Sequence, residues 1–362
     1  MSRSYSRALV IVAGAMVALA GAALGGEVPK WFEGGARPLT VGALPSGLGP
    51  TAASCEPCHA AIVAEWRRSL HAASWTEPVF QAAYVREPLS FCRNCHAPMN
   101  EGKTPRGLAA REGVSCVTCH VRDGEILGGA GVAAAAPGVH PVRKGVTNDS
   151  AFCAPCHEFG FHMDDVETAE LQQSTMSEWR ERLADGRTLK SCQDCHMQSV
   201  DGHKRHTFAV RREPGAIAKA LDVDVSIYGT TLVATVKARD VGHAVPTGDQ
   251  YRRLELRVRV AGRSHVLVYA RTFGDRKGPS GANERYEVAD TRVGEGPDKR
   301  VIELSEARSG AEVHWTLDYL LMPESVAREN EVDPAVNVTR LYEGTLTVPY
   351  PASNRDWGGR LK

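Results

Sequence analysis

All ten cysteines fall in C-x-x-C pairs, and a histidine directly follows every pair. The five motifs are CEPCH (Cys55, Cys58, His59), CRNCH (Cys92, Cys95, His96), CVTCH (Cys116, Cys119, His120), CAPCH (Cys153, Cys156, His157) and CQDCH (Cys192, Cys195, His196). A disulfide framework would not require that histidine. Zinc sites use C-x-x-C, but they do not repeat a histidine at the next position each time. C-x-x-C-H is the attachment signature of c-type haem. Two thiols three residues apart lie on one side of a helical turn, and each adds to one vinyl group of the porphyrin. The following imidazole then lies under the ring and supplies the proximal nitrogen to iron. Five copies that use every cysteine predict five covalently bound c-type haems, with His59, His96, His120, His157 and His196 as proximal ligands.

The other face of each iron needs a partner, and eight of the thirteen histidines remain. His71 lies in AAIVAEWRRSLHAASW, where Ile62, Trp66 and Leu70 or Val63 fall on one helical stripe. In a continuous helix the Cα atoms of His59 and His71 would be roughly 18 Å apart and about 120° around the axis. They cannot share one iron, so His71 is expected on a neighbouring haem. His140, in PGVHPV, follows a small-residue stretch able to carry it over a haem. His203 and His206 both lie in DGHKRHTF; His206 is preferred, and His203 is expected to face solvent. His162, in FGFHMDD, stands close to His157 and is left open. His243, in VGHAVPTGDQ, sits on turn chemistry that the Gly242 and Pro246 frame can stiffen. His265 and His314 lie in alternating patterns and read as satisfied strand residues. Met99 and Met197 start on the proximal side of their own haems, and Met163 and Met176 are weak candidates. The distal candidates are therefore His71, His140, His206, His243 and His162, and mostly bis-histidine iron is expected, at low potential relative to His/Met sites.

These ligands must be held by a helical, loop-rich segment in which porphyrins replace much of an ordinary core, in keeping with 6% aromatic residues. The chain begins with Arg3 and Arg7, an apolar run from Ala8 to about Leu24 and then small residues, the pattern of a secretory signal peptide. Lys+Arg and Asp+Glu balance at 43 each, so no nucleic-acid patch is advertised. Five haems add propionates, so the loaded chain should be more acidic than its sequence.

Beyond Pro214–Leu221 the periodicity changes. DVDVSIYGTTLVATVKARD reads as two strands around a Gly-Thr turn, LELRVRV and HVLVYARTF as another pair, and KRVIELS, AEVHWTLDYLL and YEGTLTVPY as three more. PESVARENEVDPA has room for a short helix. The expected fold is α + β and multidomain: a mainly helical, loop-rich pentahaem domain followed by an all-β sandwich. The boundaries read as signal peptide 1–26, linker 27–50, haem domain 51–215, β-sandwich 220–351 and tail 352–362.

The segments CEPCH…EWRRSLHAASW, CRNCHAPM, GVSCVTCHV, FCAPCHEF, TMSEWRE and SCQDCHMQ…HKRHTF resemble the multihaem cytochrome c-552/c-554-like family over roughly Thr51 to Val210. VGHAVPTG resembles a loop of some such cytochromes, which strengthens His243. In that family the histidine of S-x-H-A is a distal ligand, which implies the same for His71. The resemblance implies electron transfer in the periplasm or outside the cell, with other cytochromes or quinone-linked membrane complexes as redox partners. A fifth motif and the β-region depart from the smaller four-haem members, so their ligand pairing does not carry over. Two alternatives stand beside electron transfer. One is a haem oxidoreductase acting on a small nitrogen or sulfur compound at one open face, although no C-x-x-C-K is present. The other is a homo-oligomer or filament subunit.

Overall fold

A computed structural model describes residues 41–350 apart from 101–106, 130–141, 144–146, 162–165, 168–169, 209–214, 279–280 and 295. The expected signal peptide and tail lie outside the described residues, as do His140 and His162.

Alternation of apolar and polar residues builds the C-terminal half. Strands β1 (Leu221–Tyr228), β2 (Thr231–Ala238), β3 (Arg253–Val260), β4 (Arg263–Lys277), β5 (Asn283–Asp290), β6 (Asp298–Glu303), β7 (Glu312–Leu320) and β8 (Val338–Thr347) form two sheets. The smaller has the order β6-β2-β1, and the larger runs β8-β7-β3-β4-β5. All pairings among these strands are antiparallel. Ala261 and Gly262 turn β3 into β4 with positive φ at both positions, the twist a two-residue hairpin requires.

The inward residues of both sheets share one core. Leu232, Ala234 and Val236 from β2 meet Leu254, Leu256 and Val258 from β3, with Tyr269, Ile302, Val313 and Leu317 around them. Each fully buried Leu contributes about 1.5–3 kcal/mol of hydrophobic stabilisation. β5 is a strand that the sequence reading passed over, because NERYEVAD carries too little apolar residue to show a buried face. Its burial pattern is mostly intermediate or exposed, as the weak alternation implies. PESVARENEVDPA holds two short helices, Glu324–Glu329 and Pro334–Asn337, where one was expected.

The N-terminal half is a chain of short helices: α1 (Glu56–Arg67), α2 (Pro78–Arg86), α3 (Ser90–His96), α4 (Cys116–His120), α5 (Ala154–His157), α6 (Thr175–Ala184) and α7 (Cys192–His196). Its apolar clusters are small: Val41, Val117 and Val121; Ala52, Val63 and Trp66; Trp75 and Ala97. Several contacts join the halves, two of them apolar or strand-like. Val79 of α2 sits in the large β core, and Val166–Glu167 pairs in parallel with the outer edge of β5.

One expectation is corrected. His59 and His71 do not share a continuous helix. The backbone at His59 leaves helical dihedrals (φ −121°, ψ 35°), and α1 ends at Arg67. His71 then lies on the following turns. The capped carbonyls of Glu65 and Trp66 accept from the N–H of Arg68, which closes the helix.

Candidate functional site

Each motif places its cysteines on one helical turn and stops at or kinks beside its histidine. Pro57 and Pro155 start the turns of the first and fourth motifs. A capping box between Ser191 and Asp194 starts the fifth. After His96, His120, His157 and His196 the chain leaves helical dihedrals at once, at Ala97, Val121, Glu158 and Met197. The imidazole therefore projects from a helix end, clear of a following turn.

All ten cysteines are unpaired as disulfides. Thiols of different motifs nevertheless meet. The Cys55 thiol lies within hydrogen-bonding reach of Cys116, Cys95 of Cys156, and Cys153 of Cys192. The first motif thus adjoins the third, the second adjoins the fourth, and the fourth adjoins the fifth. Cys119 also lies near Cys156, which brings the third beside the fourth.

Three motif histidines face a second histidine across a gap. Ring centres are 6.2 Å apart for His71–His157, 6.1 Å for His120–His206 and 6.2 Å for His196–His243. The last two rings are 8° from parallel, yet far beyond the 3.7 Å at which Phe80 stacks on His96. The gap is therefore not ring stacking. Two imidazoles trans on one metal ion, each with nitrogen about 2 Å from it, put ring centres about 6 Å apart. The donor set fits an iron held between each pair.

The ring chemistry fits as well. Removal from water disfavours the imidazolium, holding His71 at about 3 and His157 and His206 at about 4, and lowering His96, His120 and His243. Neutral imidazole is the form that binds metal. Nδ1 donates from His96 to the Ser74 carbonyl (2.8 Å), from His120 to Leu127 (2.8 Å) and from His243 to Ala244 (2.9 Å). A proton fixed on Nδ1 leaves the Nε2 lone pair free. The Gln173 amide lies 3.2 Å from Nδ1 of His157. The buried Nδ1 atoms of His71 and His206 have no partner among the described residues.

Neighbouring elements set these positions. The turn after α1 serves three motifs. His71 faces His157 of the fourth. Ser74 accepts from His96 of the second through its carbonyl and donates to the His96 carbonyl through its hydroxyl (2.9 Å). The His71 carbonyl accepts from Val114 N–H (2.9 Å), just ahead of the third. Glu65 accepts from His206 N–H at 2.8 Å. Val245 pairs with Val293 through two 2.9 Å bonds and anchors the His243 loop. Ser74, Leu127, Glu65 and Gln173 were not singled out in the sequence; their only signal was proximity to a motif or to EWRRS.

The other candidates fall elsewhere. His203 is not simply solvent-facing: its Nε2 lies 3.3 Å from Glu65. His265 meets Glu306 at 2.6 Å and His314 meets Thr345 at 2.9 Å, both as satisfied strand residues. Met99 packs with Val41, Val117 and Val121, and Met176 is buried in α6. His96 stacks on Phe80 with ring centres 3.7 Å apart.

Residues 54–121, which hold the first three motifs, match the family model for cytochrome c554 and c-prime. The fold is similar to the crystal structure of a penta-heme cytochrome c552 from Thermochromatium tepidum. The two share 18% sequence identity over 82% of this chain and 98% of that one, with a TM-score of 0.61. No curated protein matches. Motifs, fold and comparisons together support a multihaem c-type cytochrome of the c-552/c-554 type.

Proposed function

We propose that this chain is a pentahaem electron-transfer protein that works in the periplasm or outside the cell. The observation that carries this reading is the set of three histidine pairs, each with ring centres 6.1–6.2 Å apart. When bound, haem supplies an iron that gains and loses one electron. His157 and His71, His120 and His206, and His196 and His243 would each hold one iron between them, which would leave no position there for a substrate. His59 and His96 would hold the other two, for which His140 and His162 remain the candidate second ligands.

The thiol contacts supply an order. The fourth motif touches the second and the fifth and lies beside the third, which touches the first. Covalent attachment at these thiols would bring neighbouring porphyrins close and make the fourth site a junction. The redox partners are proteins such as other cytochromes or quinone-linked membrane complexes. No described helix is long and apolar enough to cross a membrane.

Intact mass and EPR of the purified holoprotein test the reading. Five haem masses and low-spin ferric iron are expected. Fewer than five haems would overturn the count. A stoichiometric high-spin signal that shifts with nitrite, hydroxylamine or sulfite would replace electron transfer with haem oxidoreductase chemistry.

A further inference from the structure

The sequence Glu-Trp-Arg occurs twice, at Glu65–Arg67 and Glu178–Arg180. The first copy lies near the end of α1 and the second in α6. Successive residues on a helix point about 100° apart, so each Glu and its Trp reach different neighbours.

The two copies reach equivalent neighbours. Glu65 Oε2 accepts the backbone N–H of His206 (2.8 Å), and Trp66 donates its indole N–H to the carbonyl of Val114 (2.9 Å). Val114 stands two residues ahead of Cys116. Glu178 Oε2 accepts the N–H of Ala244, next to His243 (3.1 Å), and the hydroxyl of Thr247 (2.9 Å). Trp179 donates its indole N–H to Lys190 O (2.9 Å). Lys190 stands two residues ahead of Cys192. In each copy the carboxylate holds the segment carrying one histidine of a facing pair. The indole holds the approach to the motif carrying the other.

Both carboxylates are largely buried, at 15% and 12% side-chain exposure. Burial pushes each up, but hydrogen bonds and nearby cations hold both below the usual carboxylate range. Glu178 has two further partners on Oε1, Ser174 Oγ (2.6 Å) and Arg292 Nη1 (2.7 Å). Gly242 completes the second copy: a Cβ there would lie 3.1 Å from the Trp179 ring, so the loop fits closely against the indole.

We propose that each Glu-Trp dipeptide is a positioning bracket for one facing histidine pair. Glu65 and Trp66 set the spacing of His120 and His206. Glu178 and Trp179 set that of His196 and His243. Charge-assisted bonds from a rigid helix fix one side, and a neutral indole bond fixes the other. This rests on the reading of the pairs as iron ligands.

The test uses EPR-monitored redox titration of the pentahaem holoprotein. His206→Ala and His243→Ala first identify the low-spin signal of each pair by its loss. Glu65→Gln and Trp66→Phe should then shift only the first of those signals. Glu178→Gln and Trp179→Phe should shift only the second. Loss of a nearby negative charge disfavours ferric iron. The Gln variants should therefore raise the reduced-to-oxidised ratio of that iron at fixed ambient potential by about tenfold, or about 59 mV. Glu→Gln keeps side-chain shape, whereas Trp→Phe also shrinks the ring; should a Phe variant not assemble five haems, the Gln variants decide. Shifts spread over all signals, or none in either signal, would overturn the bracket while leaving the ligands in place. No low-spin loss in the two His→Ala variants would overturn the ligand reading, and the bracket with it.

Discussion

At the scale of single residues, the chemistry rests on imidazoles kept neutral and aimed. Burial disfavours their protonation, and backbone carbonyls hold the Nδ1 proton of His96, His120 and His243. His71 differs: its buried Nδ1 is unpartnered among the described residues, and Phe208 contacts its ring edge-on at 4.2 Å. Contact with Phe208 and the geometry of its turn must orient it. His71→Ala should convert the iron of His157, not that of His59, to high spin. EPR on a His71→Ala/His157→Met double variant checks the assignment: the new high-spin signal of the single variant should be the one altered. Persistence of all low-spin signals in His71→Ala would remove this pair.

At the scale of elements, a ligand is only as well placed as the turn that carries it. Gly113 has φ +54°, and a Cβ there would lie 2.6 Å from the His71 carbonyl oxygen and 2.3 Å from Ser74 Oγ. Gly113→Ala should therefore displace the His71 turn. An alanine forced to positive φ, with a backbone clash added, costs about 1–3 kcal/mol. The expected result is a lower melting temperature together with loss of the low-spin signal assigned to His71. A core change in β3 should behave differently. Leu256 is fully buried, and Leu256→Ala should cost about 2–5 kcal/mol. Below its melting temperature that variant should keep the parent EPR spectrum, because Leu256 lies on β3, in the β core, and carries no iron ligand.

At the scale of the whole molecule, apolar packing is unevenly shared. One large core fills the space between the two sheets, while the described residues of the motif-bearing half form three small clusters. That half has too little apolar packing of its own to offset chain entropy, and the porphyrins must supply the rest. Chain produced without haem attachment should therefore be cut by protease throughout 51–208 and resist over 221–350. Limited proteolysis with mass spectrometry checks this. Equal resistance of both halves would show that haem is not a structural component.

The haem-attachment reading was legible in the sequence by itself, because two thiols and an imidazole at fixed local spacing need nothing beyond one helical turn. The sequence also determined most strands, because a buried face writes a period of two into the chain. β5 escaped, since an edge of mixed polarity writes no such period. Which histidines face each other was decided only by tertiary structure. His71 and His157, or His196 and His243, are far apart in the chain, and their separation depends on where α1 ends, how the turn after it packs, and how the β-region docks. The Glu-Trp brackets were visible as letters in EWRRS and TMSEWRE. Their meaning came from the folded chain, because a hydrogen bond from the His206 N–H to Glu65 spans most of the haem-bearing half and leaves no local pattern.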